Sequence, residues 1–339
     1  MDFLKDYYKS EKYEIQFLNT YFLEGNSNRI GKFSFRQTFD FFLLLLRINK
    51  KTSKNRIFHF HTSRKLGLVK DLTVIGLVAF LRPKFKILIH IHHSDFDKTF
   101  PKNILLKRFC LYILKYQNII SLTTRLKNQL EYLLPKSKIF LLPNFYTVNH
   151  EGSAIKNLEK RKNLNFFFVG SIDQRKNWFT LVKKLAELKK DYDIKFTVYG
   201  APQSKANKNK LIRYLEKYQF IDFRSYVEEN AIFQSLSPDS IFIQPSASEG
   251  MSIALLNAIS NGFICISTNV DSVVELNDRF GESILTLNDD LSNLNDLAYK
   301  IMMNQYDFDE IKKRMNNISN AHTFKLFQEK CEKIYNSVI

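Results

Sequence analysis

Apolar and polar positions along the chain fall into blocks, and the blocks alternate in kind. Short apolar runs of strand length are followed by longer stretches with helical spacing. YEIQFLNTYF (13–22) reads as a strand and its exit, RQTFDFFLLLLRI (36–48) as a helix with few breakers, and RIFHFH (56–61) as the next strand. A helix from about 63 to 81, the strand KILIHIHH (86–93), the amphipathic helix NILLKRFCLYILKY (103–116) and the strand NIISLT (118–123) follow. TRLKNQLEYLL (124–134) and KIFLLPN (138–144) continue the pattern. Strands that alternate with helices imply a doubly wound parallel sheet. Long apolar runs with little internal alternation suit strands buried on both faces.

The polar segment FYTVNHEGSAIKNLEKRKN (145–163) reads as a linker, after which the pattern restarts. NFFFVGS (165–171), IKFTVYG (194–200), SIFIQPS (240–246) and FICIST (263–268) are strands; KLIRYLEKY (210–218), 291–304 and 308–339 are helical. A chain of 339 residues suits two domains. The expected division is a first domain over 1–150, a second over 151–315 and a closing helix over 316–339.

Composition adds little to the fold and something to the function. An apolar content of 45% permits sizeable cores and excludes a disordered chain. Three scattered cysteines (Cys110, Cys265, Cys331) show neither metal spacing nor a disulfide framework, which points to a reducing compartment. MDFLKDYYKSEK is too polar for a signal peptide, and FFLLLL (41–46) and LTVIGLVAFL (72–81) are too short to span a bilayer. The expected location is therefore cytoplasmic. The net charge of +17 is uneven: residues 1–150 hold 26 Lys and Arg against 10 Asp and Glu, and residues 151–339 hold 25 against 24. That asymmetry points to an anionic partner for the first half, a membrane surface or nucleic acid, with a solvated lysine-rich face as the alternative.

The stretch with most chemistry is IFIQPSASEGMSIALLNAISNG (241–262). It reads as a buried strand (241–244), a turn of small residues and a helix from about Ser252 that stops at Gly262. Such a turn aims free backbone N–H groups outward, which favours an anion, typically phosphate. A carboxylate in that turn, Glu249, needs a partner or a task.

SEGMSIALLNA, followed by Gly262 and ICISTNVDSVVE, resembles the donor-site signature of family 4 glycosyltransferases of the bacterial surface-polysaccharide type, which have the GT-B fold. The resemblance implies two doubly wound, Rossmann-like domains facing across a cleft, with the last helix crossing back to the first. It implies a retaining hexosyltransferase that moves a sugar from a nucleotide-diphosphate donor. A saccharide acceptor, lipid-linked by analogy, fits capsule, lipopolysaccharide or exopolysaccharide synthesis. Glu249 matches the acidic residue that positions the sugar, and Gly250, Met251 and Ser252 complete the donor turn. Eight residues on, where the family has a second Glu for the ribose, stands Asn257. VGSIDQRKNW (169–178) resembles the family's strand, turn and lysine element: Lys176 matches the lysine, Ser171 replaces the usual arginine, and Arg175 offers a substitute. Cations and oriented N–H groups there stabilise the departing diphosphate. A solvated turn is the bland reading of Arg175 and Lys176. Gly200, at the end of FTVYG, suits close approach to a ligand or a tight turn. Glu275 matches a further acidic position, with helix capping as its alternative.

Five of the seven histidines cluster in two strands, His59 and His61, then His90, His92 and His93. Alternate spacing puts each pair on one sheet face. A metal site from two such pairs is the lesser reading. HFHTSRK and HIHHSD resemble cleft-lining segments of the family's first domain, where a strand-end histidine contacts the transferred sugar. His92 is the expected residue and His93 its close alternative, with Arg64 and Lys65 facing the acceptor. Asp95-Phe96-Asp97 is a DxD string, but 191–193 and 307–309 repeat the spacing, so no metal is expected and transfer is read as metal-independent.

The family normally opens with a strand, a Gly-rich turn and a helix. Here about the first 15–20 residues of that pattern are expected to be missing. The basic first half and the helix at 103–116 suggest peripheral docking on the anionic inner face of the plasma membrane. The rival class is a non-catalytic GT-B-like protein that binds a nucleotide-sugar or a partner glycosyltransferase. A nucleic-acid binder lacks the aromatic-interleaved basic motif it would need.

Overall fold

A computed structural model describes residues 57–62, 65–81, 83, 85–92, 99–148 and 163–339. The elements expected at 13–22 and 36–48, the missing opening, Arg64, His93, the first DxD string and most of the linker lie outside the described residues. The chain divides into two units: one runs to Pro143 and includes Phe324–Ile339, the other is Asn144–Thr323.

In the first unit, β1 (Ile57–Thr62), α1 (Leu66–Leu81), β2 (Lys86–Ile91), α2 (Ile104–Leu114), β3 (Asn118–Ser121), α3 (Thr124–Leu133) and β4 (Lys138–Leu141) alternate as the pattern requires. The strands form a parallel sheet in the order β1-β2-β3-β4. Polar caps start two of the helices. The Asn103 side chain accepts from the N–H groups of Leu105 and Leu106, and Thr123 accepts from that of Leu126. Leu68, Leu72 and Ile75 of α1, spaced four and three apart, pack with Ile87, Ile89 and Ile91 of β2 in one core. Each such side chain contributes about 1.5–3 kcal/mol of burial. The other face of β2 carries His90, so the strand alternates in chemistry although both faces are covered.

The second unit holds β5 (Leu164–Val169), α4 (Trp178–Leu188), β6 (Ile194–Tyr199), α5 (Lys205–Lys217), β7 (Ile221–Phe223), α6 (Glu229–Ser235), β8 (Ile241–Gln244), α7 (Ile253–Ser260), β9 (Ile264–Thr268), α8 (Asp271–Phe280), β10 (Leu285–Leu287), α9 (Leu294–Met302) and α10 (Phe308–Ala321). Among the described residues its six strands run in the order β10-β9-β8-β5-β6-β7, and every pairing is parallel. From β5 the chain winds outward to β7, then returns to start β8 on the other side of β5. The β5/β8 boundary is therefore the topological switch point, outside whose carboxyl ends open α/β sheets bind ligands.

The single helix expected over 308–339 is two helices. α10 ends at His322, whose Nδ1 lies 2.7 Å from the Asn144 carbonyl and whose own carbonyl accepts from Tyr146 N–H at 3.1 Å. α11 (Phe324–Val338) then belongs to the first unit: the Tyr335 hydroxyl lies 3.0 Å from His59 Nδ1, and Lys138 Nζ donates to the Ser337 carbonyl at 3.0 Å. Glu275 sits inside α8 rather than in a loop or at a cap. β7 and β10, three residues each, carry too little pattern to be read from sequence. Among the described residues no helix is long and apolar enough to cross a membrane.

Candidate functional site

Two turns at the switch point build the site. The first leaves β5 at Gly170 and enters α4 at Trp178; the second leaves β8 at Pro245 and enters α7 at Ile253. Local chemistry shapes each. In the first, Asp173 Oδ1 accepts from the Lys176 backbone N–H at 2.7 Å and Oδ2 from the Ser171 hydroxyl at 2.7 Å. One carboxylate thus closes the turn and sets the direction of Lys176. In the second, the Ser252 hydroxyl caps α7 by accepting from Leu255 N–H. At the far end Gly262 takes φ 76°, with Gly262 N–H bonded to the Ile259 carbonyl and Phe263 N–H to that of Ala258. This double bond pattern is the Schellman stop that Gly permits.

Four contacts join the turns. Ala247 N–H donates to the Arg175 carbonyl at 2.8 Å, and Arg175 Nη1 donates to the Ser248 carbonyl at 3.2 Å. Glu249 Oε1 lies 2.7 Å from Arg175 Nη1 and 2.7 Å from Lys176 Nζ. Burial alone would push the Glu249 carboxyl up, but Lys176 and Arg175 outweigh it and hold the pKa below the ordinary carboxylate value. Lys176 is only 7% exposed. Two cation heads share one carboxylate oxygen, which leaves the cluster one positive charge in excess and complementary to an anion such as a diphosphate.

Two glycines make room for this arrangement. A side-chain carbon on Gly200 would stand 1.8 Å from the Gly170 carbonyl oxygen. Gly200 therefore serves the packing of two strand ends against each other. A side-chain carbon on Gly170 would crowd Phe168 Cζ at 3.3 Å and touch Lys176 Cε at 3.4 Å, and its φ of 151° disfavours any side chain.

The fold brings Arg175, Lys176, Glu249, Gly250, Met251 and Ser252 together, the last three buried in the α7 turn. Ser171 is turned to Asp173. Asn257 is turned into the protein. It is 1% exposed, and its Oδ1 accepts from the backbone N–H groups of Thr147 at 2.7 Å and Val148 at 3.2 Å. Its Nδ2 donates to Thr147 Oγ1 at 2.9 Å and reaches Glu229 Oε2 at 3.4 Å. Asn257 braces the segment entering the unit against α7, because its amide is consumed inside the protein. His92 belongs to the first unit, where its Nε2 lies 2.6 Å from His61 Nδ1. The remaining DxD strings have other tasks: Asp307 caps α10, and Asp193 pairs with Lys189.

Sequence reading passed over Asp173, Gly170, Thr147 and Glu229. Asp173, three residues before Lys176, carries a legible turn signal. Thr147 and Glu229 carry none, since they meet Asn257 only through the fold.

The architecture and this site define a GT-B glycosyltransferase fold. Residues 151–323 match the family described as glycosyl transferases group 1, and the chain belongs to that family. It is 28% identical over 152 residues to the capsular polysaccharide biosynthesis glycosyltransferase CapH of Staphylococcus aureus, covering 43% of each chain. It is 24% identical over 245 residues to the O-antigen biosynthesis glycosyltransferase WclY of Escherichia coli, covering 68% of this chain and 67% of the relative. The match thus spans less than half of CapH. Among solved structures, Anabaena HepE in complex with UDP aligns with a TM-score of 0.68 at 11% identity, over 87% of this chain and 82% of the other. The pneumococcal O-GlcNAc transferase GtfA in complex with UDP and GlcNAc aligns at 0.60 and 17%, over 83% and 56%.

Proposed function

We propose that this protein is a retaining glycosyltransferase that takes a hexose from a nucleotide-diphosphate sugar and passes it to a saccharide acceptor, lipid-linked, in the synthesis of a bacterial capsule or O-antigen. The observation that carries the reading is the Glu249–Arg175–Lys176 cluster at the switch point of the second unit. As the glycosidic bond breaks, negative charge accumulates on the departing diphosphate. Lys176 and Arg175, with the N–H groups of the α7 turn, meet that charge with little rearrangement. Arg175 takes the part of the arginine that Ser171 replaces. Glu249, held ionised, accepts from sugar hydroxyls and offsets the positive charge that develops at the anomeric carbon. Transfer is metal-independent in this reading, because the cations of the chain neutralise the diphosphate. The names of CapH and WclY support the polysaccharide context, and the UDP in the HepE and GtfA structures supports a nucleotide donor.

The outward face of α2 supports docking on an anionic cytoplasmic leaflet. Leu105, Phe109 and Tyr112 recur at helical spacing and stand exposed, flanked by Arg108 and Lys115, with Tyr116 exposed just past the end of the helix. Apolar side chains with adjacent cations suit the headgroup boundary. The test is transfer from a panel of UDP- and GDP-sugars, in chelator, to lipid-linked saccharides on vesicles. Turnover by the wild type and its loss in Lys176→Ala supports the reading. Equal turnover by Glu249→Ala and wild type defeats it.

A further inference from the structure

We propose that His59, His61 and His90 of the first unit form a binding site for one late first-row divalent cation, Zn2+ being the natural probe. The site lies on the other unit from the Glu249 cluster and does not rest on the transfer reading.

The register of the sheet assembles it. His61 and His90 are direct partners across β1 and β2, and His59 lies two residues before His61 on the same face. One ring nitrogen from each residue falls within 4.8 Å of the others. A tetrahedral cation with bonds of about 2.1 Å needs its nitrogens about 3.4 Å apart. Closing the difference takes under about 1.5 Å, and the rings, now at centroid distances of 4.6 to 5.4 Å and 14 to 35° apart in plane, must also turn about the soft χ2 torsion so that their lone pairs converge.

Independent support comes from His90. It is 1% exposed, and both of its ring nitrogens are buried with no hydrogen-bond partner. A buried imidazole left so costs about 1–3 kcal/mol for each unmet group, a cost that coordination would remove at one of the two nitrogens. Outer contacts suit the same role. His59 Nδ1 meets the Tyr335 hydroxyl at 3.0 Å and His61 Nδ1 meets His92 Nε2 at 2.6 Å. Metal-bound imidazoles commonly hold their second nitrogen in this way, which directs Nε2 to the ion. Three neutral nitrogens and no carboxylate select Zn2+, Ni2+ or Cu2+ over Mg2+ and Ca2+. The ion would tie β1 to β2 and, through Tyr335, to α11.

The experiment is calorimetric titration of the full, chelator-stripped chain with Zn2+, together with the visible spectrum of the Co2+ form. We expect one ion per chain and a tetrahedral cobalt spectrum. His90→Leu, an apolar replacement that keeps the fold by circular dichroism, should weaken Zn2+ by ~100-fold or more, since loss even of an outer contact costs about 10–100-fold. His59→Phe should do the same and separates the site from local effects at His90. The absence of stoichiometric binding to the wild type, or binding to both variants within threefold of it, would overturn the proposal.

Discussion

Replacing Asn257 by Ala separates a brace from a ligand contact. The substitution removes the acceptor for Thr147 and Val148 N–H and the donor to Thr147 Oγ1. Val148 is 4% exposed, so its N–H finds no water in exchange. An unmet buried group costs about 1–3 kcal/mol, and Thr147, which is partly open, costs less. The expected loss is about 2–4 kcal/mol in the second unit. At about 2–4 °C per kcal/mol for a domain of this size, the melting point falls by about 5–15 °C. Trp178 is the sole tryptophan of the chain and lies fully buried in α4 of that unit, so its fluorescence reports the transition directly. Donor KM, measured well below the melting point, should stay within about twofold. Asn257→Asp sharpens the test. The new carboxylate keeps the acceptors but faces Glu229 Oε2, which Asn257 Nδ2 now contacts at 3.4 Å. Two carboxylates so close repel, and Glu229→Gln should restore part of the lost stability. A melting point unchanged within 1 °C in Asn257→Ala, with donor KM raised tenfold or more, would refute the brace and return the residue to the ribose.

Gly200→Ala drives a carbon to 1.8 Å from the Gly170 carbonyl oxygen, so it should displace the turn that carries Lys176 and weaken nucleotide-diphosphate binding by at least ~10-fold; unchanged titration with UDP or GDP contradicts this. Glu249→Gln keeps the shape and removes the charge; we expect kcat to fall by about 100-fold while diphosphate binding holds or tightens, checked by separate kinetic and calorimetric titrations. Burial first, then repulsion from neighbouring histidines including His92, holds His59 to about 3, His61 to about 2 and His90 well below 6.5. Their contribution is therefore full above pH 6.5 and is lost as pH falls, by about 4 kcal/mol for the three between pH 7.5 and 5.5. An acid titration of the metal-free protein should lose ellipticity before Trp178 emission changes, and ring protons of these histidines that titrate near 6.5 in the folded chain would be the contrary result. Leu105→Asp with Tyr112→Asp should reduce sedimentation with anionic vesicles by about tenfold or more and leave transfer to a soluble acceptor intact.

What the chain could show unaided was periodic or contiguous. The strands 57–62, 86–91, 164–169 and 241–244 are short segments rich in apolar residues, and their alternation with helices dictates a parallel sheet. Glu249 was legible as a carboxylate in a helix-opening turn, and Lys176 through the resemblance of VGSIDQRKNW to a family element. Distance in sequence hid the rest. Asn257 was readable only as a helix residue eight past Glu249, and its amide is consumed by Thr147, 110 residues earlier. The order β10-β9-β8-β5-β6-β7 makes neighbours of two turns 74 residues apart and so pairs Arg175 with Glu249. Register did the same for the histidines, since only the alignment of His61 with His90 turns two alternating pairs into one cluster. Side-chain period follows from local backbone geometry and can be read along the chain. Which turn meets which is set by strand order, a property of the packed sheet alone.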